Sequence, residues 1–393
     1  MSRHLLLILL AAVPLCFSCK GDEPAKKEEA PKTITLSLSD ADATPETKAL
    51  YSNLWAIKSK GWMFGHQNDL LNGRSWKHVE GRSDTKEVCG DYPAVYAVDV
   101  ASFMDGRKAA LQDTLDNDVK RRTIKEAYDR GMVVMACMHL NNPLNGAGYG
   151  EKNYNASNQV AAEILKTGSE TNLLFNTWLD NLAKLAKSLK GSDGVQIPII
   201  LRPFHEHGHE WSWWGCSCTT ADEYVRLWRF LVDGMKARGV HTFIYAISPA
   251  MNGQQAESDF TYRWPGDDYV DFMGMDCYLG INNTVFLNNL KLLKKVSEAK
   301  KKPAGVTEIG VEGFKAEDYW TRNIAAPMAG RNMSMLVTWS NKYDPFENGK
   351  VYYSVYPGHP SEVSFKDMYE RSDTYFCCDL PKMYKMAENV IVR

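Results

Sequence analysis

The 393-residue chain reads as an α/β protein, a single (β/α)8 TIM barrel. Three observations predict it. Eight short apolar runs recur, each followed by polar loop residues and then, in most cases, a helical pattern. The runs are continuous rather than alternating, as in a parallel sheet covered on both faces. No glycine-rich phosphate loop follows an early strand, which argues against a doubly wound open sheet, the competing architecture.

Taken in order, residues 1–18 read as an export leader. Arg3 supplies the positive charge, and Leu5 to Leu15 form an apolar run too short for a bilayer, which needs ~20 residues. Small Ser18 precedes Cys19 whereas bulky Leu15 precedes Cys16, so cleavage before Cys19 is expected. The stretch resembles a bacterial lipoprotein signal, with Cys19 as the lipidated residue. Residues 19–40 are expected to be a charged flexible tether; 20–32 carry Pro24 and Pro31, lack aromatics and bury too little apolar surface to fold. Residues 41–393 make the barrel domain.

The strand-like runs are Trp62–Gly65, Ala94–Val98, Met132–Met138, Ile197–Phe204, Thr242–Ile247, Tyr269–Met275, Ala304–Ile309 and Ser334–Trp339. Helices are expected over Thr114–Arg130, Thr171–Lys190, Ala221–Arg238, Val285–Lys300 and Asp318–Ala329. In the first of these, Leu115, Val119, Arg122 and Ala127 mark the half-buried face. In the second, Leu179, Leu182, Ala183 and Leu189 share a face. Gly131, Gly191 and Gly239 close helices ahead of strands. A barrel takes ~250 residues, so the loops are long. Leu140–Thr171, rich in Asn and Gly, is the expected binding loop.

Composition narrows the function. Lys+Arg is 46 against 48 Asp+Glu, a net charge of −2, which excludes a general polyanion binder and so nucleic acid as partner. Hydrophobic content of 44% with 24% charged residues excludes disorder, collagen and coiled coil for most of the length. Seven cysteines follow Cys19, an odd number that leaves at least one thiol free. Cys137 and Cys277 lie in apolar runs and read as core. Cys216-x-Cys218 and Cys377-Cys378 could pair or bind metal, but neither has C-x-x-C spacing.

Catalytic groups of a barrel lie at the carboxyl ends of its strands. There the sequence places His66, Asp99, His139, His205-Glu206, Asp276, Glu308 and Trp339. Glu206 closes the fourth run and Glu308 the seventh, which can face each other across the barrel mouth. A protonated and an ionised carboxyl group are the apparatus of glycoside hydrolysis. Trp211, Trp213, Trp214, Trp339, Tyr278 and Phe314 stand near these ends, and aromatic faces suit sugar rings, although core packing is the simpler reading of any one of them. His205-Glu206-His207-Gly208-His209 also satisfies the H-E-x-x-H zinc-protease pattern. That chemistry needs a helix, and Pro203, Gly208 and the preceding strand argue against one.

From about Thr44 onward the chain resembles glycoside hydrolase family 26, the β-mannanase family of the 4/7 barrel clan. The matching pieces are FGHQ (Phe64–Gln67), VDVAS (Val98–Ser102), HLNNP (His139–Pro143), RPFHE with WSWWG (Arg202–Gly215), DCY (Asp276–Tyr278), TEIG (Thr307–Gly310) and TWSN (Thr338–Asn341). Most of the clan has Asn before the acid/base; His205 there is characteristic of this family. The resemblance implies a retaining enzyme with Glu206 as acid/base and Glu308 as nucleophile. His205 would orient the acid/base region, Arg202 would hold the carboxylates and Tyr278 would bond Glu308. His139, Asp276, Trp211 and Trp339 would line the subsite around the cleaved bond. No cofactor and no catalytic metal are implied. The loop His207–Glu210 departs from the family in carrying more charge.

The expected activity is cleavage of β-1,4-mannosidic linkages in mannan, galactomannan or glucomannan, by an endo-acting mannosidase or an exo-acting mannobiohydrolase. Another β-glycan, xylan or mixed-linkage glucan, is the alternative substrate, and a non-catalytic glycan-binding lipoprotein the alternative class. The expected setting is an exported monomer, lipid-anchored to the bacterial outer membrane.

Overall fold

The computed structural model describes residues 33–105, 111–280, 283–343 and 351–393. The leader and Cys19 lie outside them. All eight expected runs are strands: β1 (Trp62–Gln67), β2 (Val95–Asp99), β3 (Val133–Cys137), β4 (Ile199–Arg202), β5 (Phe243–Ile247), β6 (Phe272–Cys277), β7 (Ala304–Ile309) and β8 (Met335–Thr338). Each pairs in parallel with the next, and β1 pairs with β8, which closes a (β/α)8 barrel. A short parallel strand, Thr374–Tyr375, adds to the outside of β1.

Alternate residues point to opposite faces of a strand, and the packing separates them. Met63, Val95, Ala97, Val133, Met135, Ile200, Ile244, Ala246, Met335 and Val337 form one buried cluster inside the barrel. Their neighbours Tyr96, Val98, Val134, Ala136, Leu201 and Tyr245 belong to another, packed against helices that contribute Leu179, Leu182, Leu231 and Met235. Helix Pro45–Ile57 gives Leu50, Tyr51 and Leu54 to the interior cluster. Its start is marked by Thr44, whose hydroxyl accepts from the Thr47 N–H, and by Pro45 in the first turn. Helix Ala221–Ala237 is held by a reciprocal Thr220–Glu223 cap and buries Tyr224, Leu227, Trp228, Leu231, Val232 and Met235, the three- and four-residue spacing of an amphipathic helix.

Four expectations are corrected. The end of the supposed tether is folded: Ile34–Leu36 pairs with Val390–Val392, and Leu36 and Leu38 are buried. The alternating apolar residues of ITLSL give a strand a face to bury, which the charged stretch before it lacks. Helix Leu111–Asp129 buries Thr123, Ile124, Ala127 and Tyr128, whereas Leu115 is 49% exposed. The expected helix Asp318–Ala329 is a π-helical stretch, Tyr319–Ala325, then Ala326–Met328. Pro327 has no N–H to continue the α ladder, and the Ala326 N–H reaches back to the Thr321 carbonyl. The long loop after β3 contains a helix, Val160–Leu165. Helices Asp84–Cys89 and Glu362–Tyr369 also lie outside the expected set.

Among the described residues the seven cysteines are free thiols, so neither Cys216 and Cys218 nor Cys377 and Cys378 are joined. Cys137 and Cys277 are core residues as expected. No helix of the described residues is long and apolar enough to cross a membrane.

Truncating Ile244, fully buried in the interior cluster, is expected to cost ~2–5 kcal/mol in urea unfolding, as for other large-to-small core changes. Leu115→Ala is expected to stay within ~0.5 kcal/mol. Equal losses in the two variants would refute the inside–outside assignment.

Candidate active site

Strand periodicity carries the interior face upward to polar residues. Val95 and Ala97 lead to Asp99, Val133 and Met135 to Cys137 and His139, Ile200 to Arg202, and Phe272 and Gly274 to Asp276 and Tyr278. Gly274 is needed for this convergence: a Cβ there would lie 2.4 Å from Thr307 Oγ1. Strict alternation would admit only one of Thr307 and Glu308. Register irregularities in the pairing of β7 with both neighbours fall beside them, and both side chains reach the same group of polar residues. Such irregularities commonly re-aim side chains beside active sites.

Arg202 is the hub. Its Nη1 donates to Asp276 Oδ2 at 2.6 Å and its Nη2 to Glu308 Oε2 at 2.5 Å, all three side chains being almost wholly buried. Ser248 Oγ donates to Asp276 Oδ2 (3.0 Å) and Thr307 Oγ1 to Asp276 Oδ1 (2.8 Å). Tyr278 donates its hydroxyl to the other Glu308 oxygen, Oε1, at 2.7 Å. Both Glu308 oxygens are thus fixed by donors. Burial alone would weaken the proton affinity of the guanidinium, but Asp276 and Glu308 hold its pKa above the ordinary value, so it stays charged. Burial, then the Glu308 charge, pushes the Tyr278 phenol well up, so it stays a donor.

Glu206 sits in a different environment. Beyond β4 the chain passes through two left-handed residues, Phe204 (φ 47°) and Glu206 (φ 53°). Conformations of this kind persist only where surroundings fix them. Here the Glu206 N–H donates to the Ser248 carbonyl (2.8 Å) and Tyr224 donates its hydroxyl to the Phe204 carbonyl (3.2 Å). The Glu206 carboxyl accepts from the Trp211 indole at 2.6 Å and faces His209 Nδ1 at 3.8 Å. Burial first, then the charge of Glu308, raises its pKa to about 7, against the pull of Trp211, Arg202 and His139. One carboxyl group is therefore a proton donor near neutrality, while the other is tied to a guanidinium.

Two imidazoles stand beside this pair with their ring centroids 4.8 Å apart. His139 donates from Nδ1 to Asp99 Oδ2 at 2.6 Å. Burial opposes its charge, but the Asp99 bond prevails and its pKa lies well above the ordinary value. His205, driven down by burial and then by Arg202 and His139, is neutral, and its buried Nδ1 has no partner. Trp211 and Trp339 flank His139, their ring centroids each 5.7 Å from its own.

The structure brings Glu206, Glu308, His139, Arg202, His205, Trp211, Asp276, Tyr278 and Trp339 to one end of the barrel. It does not bring all six aromatics into the cleft. Trp213, Trp214 and Phe314 are buried packing residues, while Trp211, Trp339 and Tyr278 are partly open. His66 is also a core residue, bound to Asp69 and near Thr85. Residues 205–209 form turns rather than a helix, so the histidines of the H-E-x-x-H pattern share no helical face. Ser248, Thr307 and Tyr149 were missed. Thr307 sits beside Glu308 in TEIG and Ser248 directly follows β5, so strand-end position was the available signal.

The family model for glycosyl hydrolase family 26 matches residues 39–344. A mannan endo-1,4-β-mannosidase of Bifidobacterium adolescentis is 29% identical over 87% of this chain, and one of Bacillus subtilis 25% over 57%. This chain spans only 36% and 59% of their respective lengths. Among solved structures, a family 26 β-mannanase from Bacteroides ovatus is 31% identical with a TM-score of 0.82, covering 88% of this chain and 98% of that one. The catalytic domain of an endo-β-1,4-mannanase from Bacillus sp. JAMB-750 is 26% identical with a TM-score of 0.81, covering 92% and 99%.

A raised carboxyl pKa favours the fold at low pH. For Glu206 that contribution is complete below the unfolded-state value, ~4.3, and is lost as pH rises through about 7. Glu206→Gln is therefore expected to match the parent at pH 4 and to be more stable at pH 8, on the order of 3–4 kcal/mol. Parallel stability–pH curves would refute the burial and charge argument.

Proposed function

The chain belongs to glycosyl hydrolase family 26, and on that footing we propose that it is a retaining glycoside hydrolase that cleaves β-1,4-mannosidic linkages in mannans by double displacement. The observation that carries the mechanism is the unequal pair of carboxyl groups. Glu206, held protonated by burial and by the Glu308 charge, is the general acid. Glu308, oriented by Arg202 and Tyr278, is the nucleophile.

In the first step Glu308 attacks the anomeric carbon while Glu206 gives its proton to the departing oxygen. The new ester neutralises Glu308, which removes the second of the two causes, after burial, that raised the Glu206 pKa. Glu206 then sits as a carboxylate, the form needed to take a proton from the water that attacks the glycosyl–enzyme. This sequence requires the two carboxyl groups ~5–5.5 Å apart. The reach of the Glu308 charge to Glu206 is in keeping with that closeness.

Positive His139, partly open between Trp211 and Trp339, supplies a donor for the sugar rim, and Trp211 and Trp339 supply apolar faces. The choice of mannan is supported by the names of the relatives. Export, lipid attachment at Cys19 to the outer membrane and action as a monomer are parts of the same proposal. Cys19→Ala is expected to release the protein from membranes into the soluble fraction; unchanged membrane retention would refute the anchor.

Glu206→Gln and Glu308→Gln are each expected to lower turnover of a linear mannan by at least ~10³-fold, measured as reducing ends, with the circular dichroism of the parent. Turnover of the parent should fall as pH rises above 7, and the reducing end should first appear in the configuration of the substrate. Full activity of either variant, or inverted product, would refute the mechanism.

A further inference from the structure

Glu206 is carried by a turn rather than by a strand, and that turn is bonded carbonyl by carbonyl. The Phe204 carbonyl accepts from the Tyr224 hydroxyl (3.2 Å), that of His205 from the Trp214 indole (2.7 Å), that of Glu206 from the His209 N–H (2.8 Å) and that of His207 from Arg263 Nη1 (3.3 Å). The first three donors lie in the same loop or in the helix that follows it, Ala221–Ala237. The fourth comes from elsewhere, because Arg263 belongs to the loop between β5 and β6. We propose that Arg263 is a positioning residue of the reaction: with His207 it clamps the turn after β4 to the β5–β6 loop and so fixes where the Glu206 carboxyl stands. The proposal rests on the hydrolase reading above, in which Glu206 is the acid/base.

Three observations carry it. First, the Arg263 guanidinium is buried, at 6% exposure, and pairs with no carboxylate among the described residues. Taking a charge from water without a counter-charge costs stability, and what the fold obtains in return is a bridge. Nη1 donates to the His207 carbonyl and to Thr219 Oγ1 (2.8 Å), and Nη2 donates to the Thr219 carbonyl. A planar fork of donors suits this double attachment. The loop it closes, from His207 to Thr219, contains Trp211, whose indole bonds the Glu206 carboxyl. Second, His207 directly follows Glu206 and is wholly buried. Its ring stacks on Tyr224 (centroids 4.5 Å apart) and Tyr262 (6.3 Å), and its Nε2 donates to the Tyr262 carbonyl at 3.1 Å. Burial first, and the Arg263 charge, lower its pKa to about 3 against the pull of that carbonyl. This imidazole is therefore a neutral anchor to the β5–β6 loop, not part of the charge expected of His207–Glu210. Third, Arg263 has φ 57°, a left-handed backbone like those of Phe204 and Glu206. Such conformations persist only where surroundings over-determine them, and these three residues stabilise one another's surroundings through Tyr224, His207 and Thr219.

The clamp has a consequence of definite sign. The groups facing the Glu206 carboxyl are Glu308, Asp276, Tyr278, Arg202, His139 and His209, and Arg263 bonds none of them. Freed from the clamp, the turn relaxes and the carboxyl gains water, which lowers its proton affinity. Loss of a nearby positive charge alone acts the opposite way and raises it.

The experiment measures kcat, KM and the pH dependence of kcat/KM on a linear manno-oligosaccharide for the parent, Arg263→Met, Arg263→Lys and, as a variant destabilised elsewhere, Ile244→Ala. Arg263→Met is expected to lower kcat about ten- to a hundredfold, the cost of misplacing a reacting group by about 1 Å, with KM within about twofold. Its alkaline limb, near 7 in the parent, is expected to move down by about one pH unit as Glu206 meets water. Arg263→Lys keeps the charge but not the fork, so its limb is expected to move the same way by less, and it decides the question if the Met variant does not fold. Ile244→Ala is expected to keep the parent limb. An unmoved or raised limb in the folded Arg263 variants, or an equal shift in Ile244→Ala, overturns the clamp. Glu206→Gln, assayed alongside, separates the two readings. Full activity there overturns the hydrolase reading, whereas its inactivity beside a parent-like Arg263→Met overturns the clamp alone.

Discussion

The site is organised by one buried guanidinium. Arg202 bonds two acidic side chains, Asp276 and Glu308, at one end of a barrel whose lower interior is apolar. A buried ion pair is weak support for stability, but removing one partner strands the others at high cost. The fold around Arg202 accordingly supplies further donors to both of its acidic partners. Ser248 and Thr307 supply the remaining donors to Asp276, Tyr278 supplies the second donor to Glu308, and Gly274 leaves room for Thr307 to turn toward Asp276. Asp276 has no room to approach a substrate atom without giving up these bonds, so its part is to hold Arg202, and through it Glu308, in place.

The same network makes Glu206 different from Glu308. The two carboxyl groups lie in one low-dielectric space and share one strong cation, which is bonded to Glu308 alone. Glu206 is bonded instead to an indole N–H and faces a partly exposed imidazole. Its proton affinity is therefore set by burial first and by the charge of Glu308 second. The strained turn through Phe204 and Glu206 fixes the distance over which this dependence acts, because Ser248 holds the backbone of one carboxyl residue and the ligand of the other's cation at once.

Much of this was legible in the sequence for a definite reason. Interior apolar residues at every second position lead to Asp99, His139, Arg202 and Asp276 at the strand ends, and a parallel barrel gathers those ends together. Glu308 was found as a strand end, but the way it shares a site with Thr307 depends on register irregularities in β7, and pairing registers are set by neighbouring strands rather than by local sequence. The aromatics were separable only by burial. Trp211 and Trp213 are two residues apart in one loop, and the first lines the site while the second donates its indole to the Leu140 carbonyl within the core. Local sequence also misjudged Leu115, because the helix that carries it buries Ile124 and Ala127 against the barrel and leaves Leu115 at the surface.

Tyr149 shows where the readable part of the site ends and the particular character of this chain begins. Arg202, Asp276 and Glu308 are held by strands, and any change there disturbs the charge balance of the whole cluster. Tyr149 and Glu151 belong to the long segment after β3, and nothing in the core requires them. Tyr149 meets the rigid machinery at His139, whose ring is pinned by Asp99, and at Trp211, whose indole bonds Glu206. Its contacts with the cluster are between rings, and the bonds to Arg202 and Glu308 come from the strands and their ends. The barrel thereby separates the charge network around Arg202, built on strands, from the loop side chains that border it.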